Sequence, residues 1–265
     1  MTITVKFESN QDYQTEAIES VVDLFDGVPK SDAYEMVDEA LLGLGGLFQE
    51  SVFANVLGAT GDDLQIALRE NLGRIQARTR QDAQGNATPI IPEDARSHPA
   101  DDEVLSDFSI EMETGTGKTY VYLRTAIELY LRNGLSKFVI VVPSVAIREG
   151  VLSTLRMTAD HFKELYAGVQ MDFYSYDSKN LNRLRQFSTT SHLQILVINI
   201  ASFHKDDNVI RRESDALNGR APIDYIRAVN PVVIMDEPQK LGSDLQAAAI
   251  EDLNPLLRLR YSATH

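Results

Sequence analysis

The 265-residue chain contains no cysteine, which excludes a disulfide scaffold, a thiolate nucleophile and any cysteine-ligated zinc site. Its five histidines are scattered and form no close His-x-x-x-His pair, so a histidine-held metal is not expected either. No stretch approaches the roughly 18 apolar residues that a membrane-spanning helix requires. The opening MTITVKFESNQDYQ has neither the basic flank nor the apolar core of a secretory leader. These absences lead to the expectation of a cytoplasmic protein without a membrane partner. An excess of basic charge is missing as well: the net charge is −14, the wrong sign for a surface that meets phosphates. All of that acid lies in one place. Residues 1–107 carry 7 Lys+Arg against 21 Asp+Glu, whereas residues 108–265 carry 18 of each. The later part is therefore neutral and free to present a local basic groove, while the early acid reads as a solubility feature.

With 43% hydrophobic and 24% charged residues, the chain has an ordinary globular composition, large enough for one sizeable core or two small ones. Residues 11–27 read as an amphipathic helix, with Tyr13, Ala17, Val21, Leu24 and Phe25 on one face and Gly27 as a stop. Helical periodicity continues through 32–57 and 62–80, broken by Gly43, Gly45 and Gly46. Residues 81–107, rich in Asp, Pro, Gly and Ala, read as a loop. From residue 108 the pattern changes. The apolar runs 108–112, 137–142, 169–176, 193–200, 231–237 and 257–264 alternate with helical stretches at 118–133 and 144–156. Continuous β-rich runs separated by helices indicate an α/β fold, a mostly parallel sheet covered on both faces. Ligands of such sheets bind at the carboxyl ends of the strands.

Two motifs follow those runs directly. The first is Glu113-Thr-Gly-Thr-Gly-Lys-Thr119, between a strand and a helix. Gly115 and Gly117 let the backbone of Thr114, Gly115, Thr116 and Gly117 turn its N–H groups toward phosphate oxygens, so all four are candidate nucleotide-binding residues. The next helix adds its positive N-terminal end. Lys118 supplies a charge for β- and γ-phosphates, and the Thr119 hydroxyl is placed to ligate Mg²⁺. Met112 stands where the full phosphate-loop pattern has its first glycine. In Val232-Val-Ile-Met-Asp-Glu-Pro-Gln239 an apolar strand ends in two acids: Asp236 to hold Mg²⁺, Glu237 to orient and deprotonate a water. A strand ending in Asp-Glu is common by itself; behind a phosphate loop it becomes specific.

With both motifs present, the chain resembles the first RecA-like domain of a superfamily 2 helicase. Many of those helicases also lack the glycine at the position of Met112. The resemblance gives Ser262, Ala263 and Thr264 the role of linking ATP hydrolysis to strand movement, with His265 closing that motif. It gives Pro143 and Ser144 contacts to nucleic-acid phosphates. It gives Gln14 the reading of adenine, although a glutamine on an amphipathic helix is otherwise an ordinary solvated residue. Gln239 joins the nucleotide-binding set by the same resemblance. Arg148, one turn beyond Ser144, either reaches a DNA phosphate or faces solvent. Lys179 and Lys205 are further groove candidates with the same alternative.

A finer similarity exists to the restriction (Res) subunits of type III restriction–modification enzymes. It rests on the Asp-Glu-Pro-Gln of 236–239, METGTGKTYVYLRT (112–125), VVPSVAIREGV (141–151), YDSKN (176–180) and VINIASF (197–203). This resemblance implies ATP and Mg²⁺ as cofactors, double-stranded DNA as track, and a methyltransferase (Mod) subunit as partner. It runs through most of 108–265 and hardly touches 28–107. Since 104 positions separate Gln14 from Lys118, the expected layout is three parts. Residues 1–27 form an adenine-motif helix, 28–107 a mostly helical insertion with a loop, and 108–265 the first RecA-like domain. A second motor domain, with the arginines that stabilise the transferring phosphoryl group, is not in this sequence, nor is a nuclease. The expectation is thus a fragment with little ATP turnover of its own. Two other readings stay open: another superfamily 2 DNA or RNA helicase, and a free-standing nucleotide-binding interaction module.

Overall fold

The computed structural model describes residues 11–31, 35–37, 51–81, 84–100, 102–203, 209–217 and 219–263. The expectations attached to Lys205, Thr264 and His265 lie outside them. Helix α1 (Asp12–Val22) runs into a 3₁₀ turn, and the chain leaves it at Gly27, whose φ of 77° only glycine adopts freely. The next described elements are β1 (Glu35–Val37), β2 (Ser51–Phe53), α2 (Gly61–Gln76), β3 (Thr79–Gln81) and β4 (Ala87–Pro89). Then β5 (Asp107–Glu111), α3 (Lys118–Asn133), β6 (Lys137–Val142), α4 (Val145–Leu165) and β7 (Met171–Ser175) follow. The chain continues through α5 (Asn182–Thr189), β8 (Leu193–Asn199), α6 (Pro222–Arg227), β9 (Val232–Asp236), α7 (Asp244–Glu251) and β10 (Leu257–Ser262).

Six of these strands form one parallel sheet in the order β5-β10-β9-β6-β8-β7. All six apolar runs expected as strands are strands. Their continuous hydrophobicity has a simple cause: the sheet is covered on both sides. Phe138, Ile140 and Val142 of β6 join one core with α1, α3 and α4, while Val139 and Val141 join a second core with α5, α6 and α7. Alternate side chains thus leave for opposite faces, and both faces exclude water.

Residues 35–37 and 51–53 correct the helical reading of 32–57 at those positions, its residues 32–34 and 38–50 lying outside the described ones: they are paired antiparallel, Glu35 opposite Phe53 and Val37 opposite Ser51. The apolar spacing Val52, Val56, Leu57 suits a helix, but cross-strand pairing and the full burial of Val52 in the second core override local periodicity. Residues 79–81 and 87–89 likewise pair antiparallel, which corrects the last residues of the helix expected over 62–80 and the start of the stretch expected as a loop. The helix expected in 62–80 is α2.

The segment 28–107 does more than lie beside the sheet. Leu57, Leu68, Ile75 and Leu105 belong to the first core. Asn55, 1% exposed, closes the amino-terminal end of β6. Its Oδ1 accepts from the Ser136 and Lys137 amides at 2.8 and 3.0 Å, and its Nδ2 donates to the Lys137 carbonyl at 2.7 Å. Its own amide donates to the Val229 carbonyl at 2.9 Å. Nearby, Gly134 leaves no room for any side chain, because a Cβ there would stand 2.0 Å from the Ser31 carbonyl oxygen.

Two measurements check this end of the sheet. Asn55→Ala takes away the acceptor of the Ser136 and Lys137 amides in a dry site and is expected to cost about 2–4 kcal/mol in denaturant unfolding; a loss below about 1 kcal/mol contradicts the clamp. Lys137 is fully buried, its ammonium donating to the Thr190 carbonyl, and burial lowers its pKa from 10.5 to about 7. Unfolding therefore takes up a proton between those pH values, and the fold gains stability as pH rises through that window, by at most about 1.4 kcal/mol per unit. Lys137→Met is expected to flatten the rise between about pH 7 and 9; an unchanged slope counts against it.

Candidate active site

The site forms where β5, β10, β9 and β6 end together. β10 lies between the other two motif strands, with Tyr261 opposite Asp236 of β9 and Ser262 opposite Glu111 of β5. Two further main-chain bonds extend these ladders into the motifs: Met112 N–H donates to the Ser262 carbonyl at 3.0 Å, and Glu237 N–H to the Tyr261 carbonyl at 3.1 Å. The register of β10 thus sets the height of the phosphate-loop sequence against the Asp-Glu pair. Met112, in place of a glycine, turns its side chain into the first core.

The loop between β5 and α3 is shaped by local chemistry. Gly115 and Gly117 have φ of 84° and 83°, and nothing lies within 4 Å of a Cβ built on Gly115. Thr114 and Gly115 form the exposed turn of the loop. The Thr116 hydroxyl donates to the Glu113 carbonyl at 2.6 Å, tightening the turn around Thr114. Gln14, 7% exposed, reaches this loop from α1: its Nε2 donates to the Thr116 carbonyl at 2.8 Å. A Cβ on Gly117 would stand 2.8 Å from that same amide nitrogen and would push the end of the Gln14 side chain aside.

Lys118 opens α3 and approaches Glu237, Nζ to Oε1 being 3.7 Å with both side chains mostly buried. Glu237 itself has φ 57° and ψ 57°, a left-handed conformation that costs a non-glycine residue on the order of 1 kcal/mol and is typical of sites where position outweighs stability. Its Oε2 accepts from Gln239 Nε2 at 2.6 Å. Gln239 therefore meets the carboxylate rather than the loop. Asp236, 6% exposed, has its pKa raised first by burial and then by the adjacent Glu237 charge; the Tyr122 hydrogen bond and Lys118 oppose the rise.

The donor set suits a magnesium nucleotide. The turned glycines open the loop, the Lys118 ammonium lies beside Glu237, and a hydroxyl (Thr119) and a buried carboxylate (Asp236) are hard oxygens of the kind that could hold Mg²⁺. Pro143 and Ser144 follow β6, where Val141 stands opposite Met235, so they emerge level with the Asp-Glu turn of β9. The Ser144 hydroxyl caps α4, accepting from the Ile147 amide at 3.3 Å. Arg148 is half-buried and paired with Glu149 at 3.0 Å. Ala263 continues β10 half-buried, and Lys179 lies exposed after β7. Sequence reasoning missed Tyr122, whose hydroxyl donates to Asp236 Oδ2 at 3.3 Å. Its signal was available: it stands one helical turn after Lys118 and so shares its face.

A family model described as "Type III restriction enzyme, res subunit" matches residues 8–265. The StyLTI Res subunit of Salmonella typhimurium, named as part of a type III restriction-modification enzyme, is 32% identical over 183 residues, covering 60% of this chain and 18% of that protein. The EcoPI Res subunit of Escherichia phage P1 is 30% identical over 190 residues, covering 64% of this chain and 19% of that protein. The chain spans about one fifth of the length of the curated relatives it matches. Among solved structures, a nuclease-deletion mutant of the Type ISP restriction-modification enzyme LlaGI in complex with a DNA substrate mimic has a TM-score of 0.38 and 16% identity, covering 60% of this chain and 16% of that one. The UvsW helicase from bacteriophage T4 has a TM-score of 0.36 and 15% identity, covering 59% of this chain and 46% of that one. Among the described residues no helix is long and apolar enough to cross a membrane.

The two loop glycines separate backbone strain from contact. Gly115→Ala is expected to cost about 1–2 kcal/mol in unfolding free energy from the left-handed backbone alone. Gly117→Ala is expected to cost more, because it also displaces Gln14, and Gln14→Ala should narrow the gap between them. Equal costs for the two glycine variants would show that Gln14 does not press on the loop.

Proposed function

This chain belongs to the family of type III restriction enzyme Res subunits, and from that membership we propose that it is the ATP-binding half of an ATP-driven DNA translocase. In its full-length form the motor couples hydrolysis to movement along double-stranded DNA and to its cleavage, together with a methyltransferase (Mod) subunit that supplies site recognition. The observation that carries the reading is the convergence of Lys118, Asp236 and Glu237 at strand ends locked together by β10.

In this reading the amides of Thr114, Gly115, Thr116 and Gly117 and the α3 N-terminus hold the phosphates, and Lys118 neutralises charge on the β/γ oxygens. Glu237 receives a proton from the attacking water, with Gln239 fixing the orientation of its carboxylate. Mg²⁺, held by Thr119 and Asp236, would neutralise phosphate charge as the bond breaks. Gln14, bonded to the phosphate loop, is placed to sense adenine and loop conformation together. Pro143, Ser144 and Arg148 offer the DNA contacts, for which Arg148 must exchange Glu149 for a phosphate. Ser262 and Ala263 transmit the nucleotide state, since the Ser262 carbonyl is bonded to Met112 at the start of the loop.

Lys118→Ala is expected to reduce nucleotide binding by this chain and, in the reconstituted Res–Mod complex, to lower DNA-stimulated ATPase by on the order of 10²-fold or more. Glu237→Gln should leave nucleotide binding intact and abolish turnover. Site-specific DNA binding should survive both substitutions, because it belongs to the partner subunit. Parallel measurements of binding, phosphate release and two-site cleavage decide the matter. ATP-dependent cleavage by the Lys118→Ala complex would overturn the motor reading.

A further inference from the structure

Tyr122 is fully buried on α3, four residues after Lys118. A phenolic hydroxyl in a dry interior costs free energy unless it is hydrogen-bonded, and a phenylalanine would fill the same space without that requirement. The partner of this hydroxyl belongs to the candidate site. The hydroxyl donates to Asp236 Oδ2 at 3.3 Å. The ring has little freedom to swing away. Tyr261 of β10 packs edge-on against it, centroids 5.5 Å apart at 61°. The Tyr261 hydroxyl is bonded in turn to Thr125 Oγ1 at 3.3 Å, and Thr125 Oγ1 donates to the Val121 carbonyl at 2.9 Å.

We propose that Tyr122 is a positioning residue for the metal: by occupying Oδ2 of Asp236, it fixes the orientation of the carboxylate that would hold Mg²⁺. A carboxylate with one oxygen held by a rigid donor keeps its other oxygen aimed in one direction, and such supporting donors raise metal affinity without touching the metal. The inference rests on the nucleotide-site reading given above. It adds a residue of β10, Tyr261, as the wall that holds the donor in place.

The test is the Mg²⁺ dependence of binding of a fluorescent ADP analogue to this 265-residue chain. Tyr122→Phe is expected to raise the half-saturating Mg²⁺ concentration about tenfold or more, with metal-free nucleotide affinity unchanged within about twofold. Tyr261→Phe removes a buried hydroxyl that does not touch Asp236, and should leave the Mg²⁺ response at the wild-type value. A wild-type Mg²⁺ response in Tyr122→Phe, or an equal shift in Tyr261→Phe, overturns the proposal. Should Tyr122→Phe not fold, the ¹³Cζ resonance of Tyr122 in the labelled wild-type chain gives the answer. It is expected to move when Mg²⁺ is added to the nucleotide complex, and an unmoved resonance overturns the proposal. A wild-type chain that binds no nucleotide brings down the site reading itself, an outcome distinct from nucleotide binding with an unaltered metal response.

Discussion

The phosphate loop hangs from β5 and the Asp-Glu pair from β9, and those strands do not touch. β10 lies between them, offering the Ser262 carbonyl to Met112 on one side and the Tyr261 carbonyl to Glu237 on the other. In a parallel ladder a slip of one residue exchanges the two faces of a strand. Leu257, Leu259 and Tyr261 are buried in the first core while Arg258 and Arg260 face the other way, so a slip would bury two arginines. The hydrophobic alternation of β10 therefore holds the distance between Lys118 and Glu237, although β10 contributes no side chain to that contact.

Polar groups mark both ends of this apolar sheet, and they are satisfied differently. At the carboxyl end, Tyr122 is bonded to Asp236 and Lys118 is paired with Glu237, which adopts a strained backbone there. At the amino end, Asn55 answers main-chain groups of β6, and the Lys137 ammonium answers a carbonyl while lying 5.8 Å from the Phe187 ring centre. The first arrangement concentrates charge where phosphates and a cation would come. The second removes it, and burial there drives Lys137 toward neutrality.

What could be read from the chain alone follows this division. The six strands were legible because strands buried on both faces carry unbroken apolar runs, and α3 and β6 match the residues that the pattern marks. The loop and the Asp-Glu turn were legible because glycines and acids at strand ends have few other uses. The contact between Gln14 and Thr116 spans 102 positions, and no local pattern encodes it. Asn55 looked like any polar residue, since its importance comes from main-chain groups 81 and 82 positions away. The strands at 35–37 and 51–53 were misread for a related reason: three-residue strands exist only through their partners, and apolar spacing that short fits a helix equally well.

The bonds of Asn55 also bear on ancestry and on engineering. A segment joined to a domain only through its two ends can be gained, lost or exchanged between relatives without disturbing the host. Here one side chain of the segment completes main-chain bonding at the base of a central strand, and Val52 and Leu57 on either side are packed into opposite cores. Such a segment is built into the fold of its host. Chimeras within this family therefore need to carry residues 52–57 along with the sheet, together with Leu68, Ile75 and Leu105 of the same core.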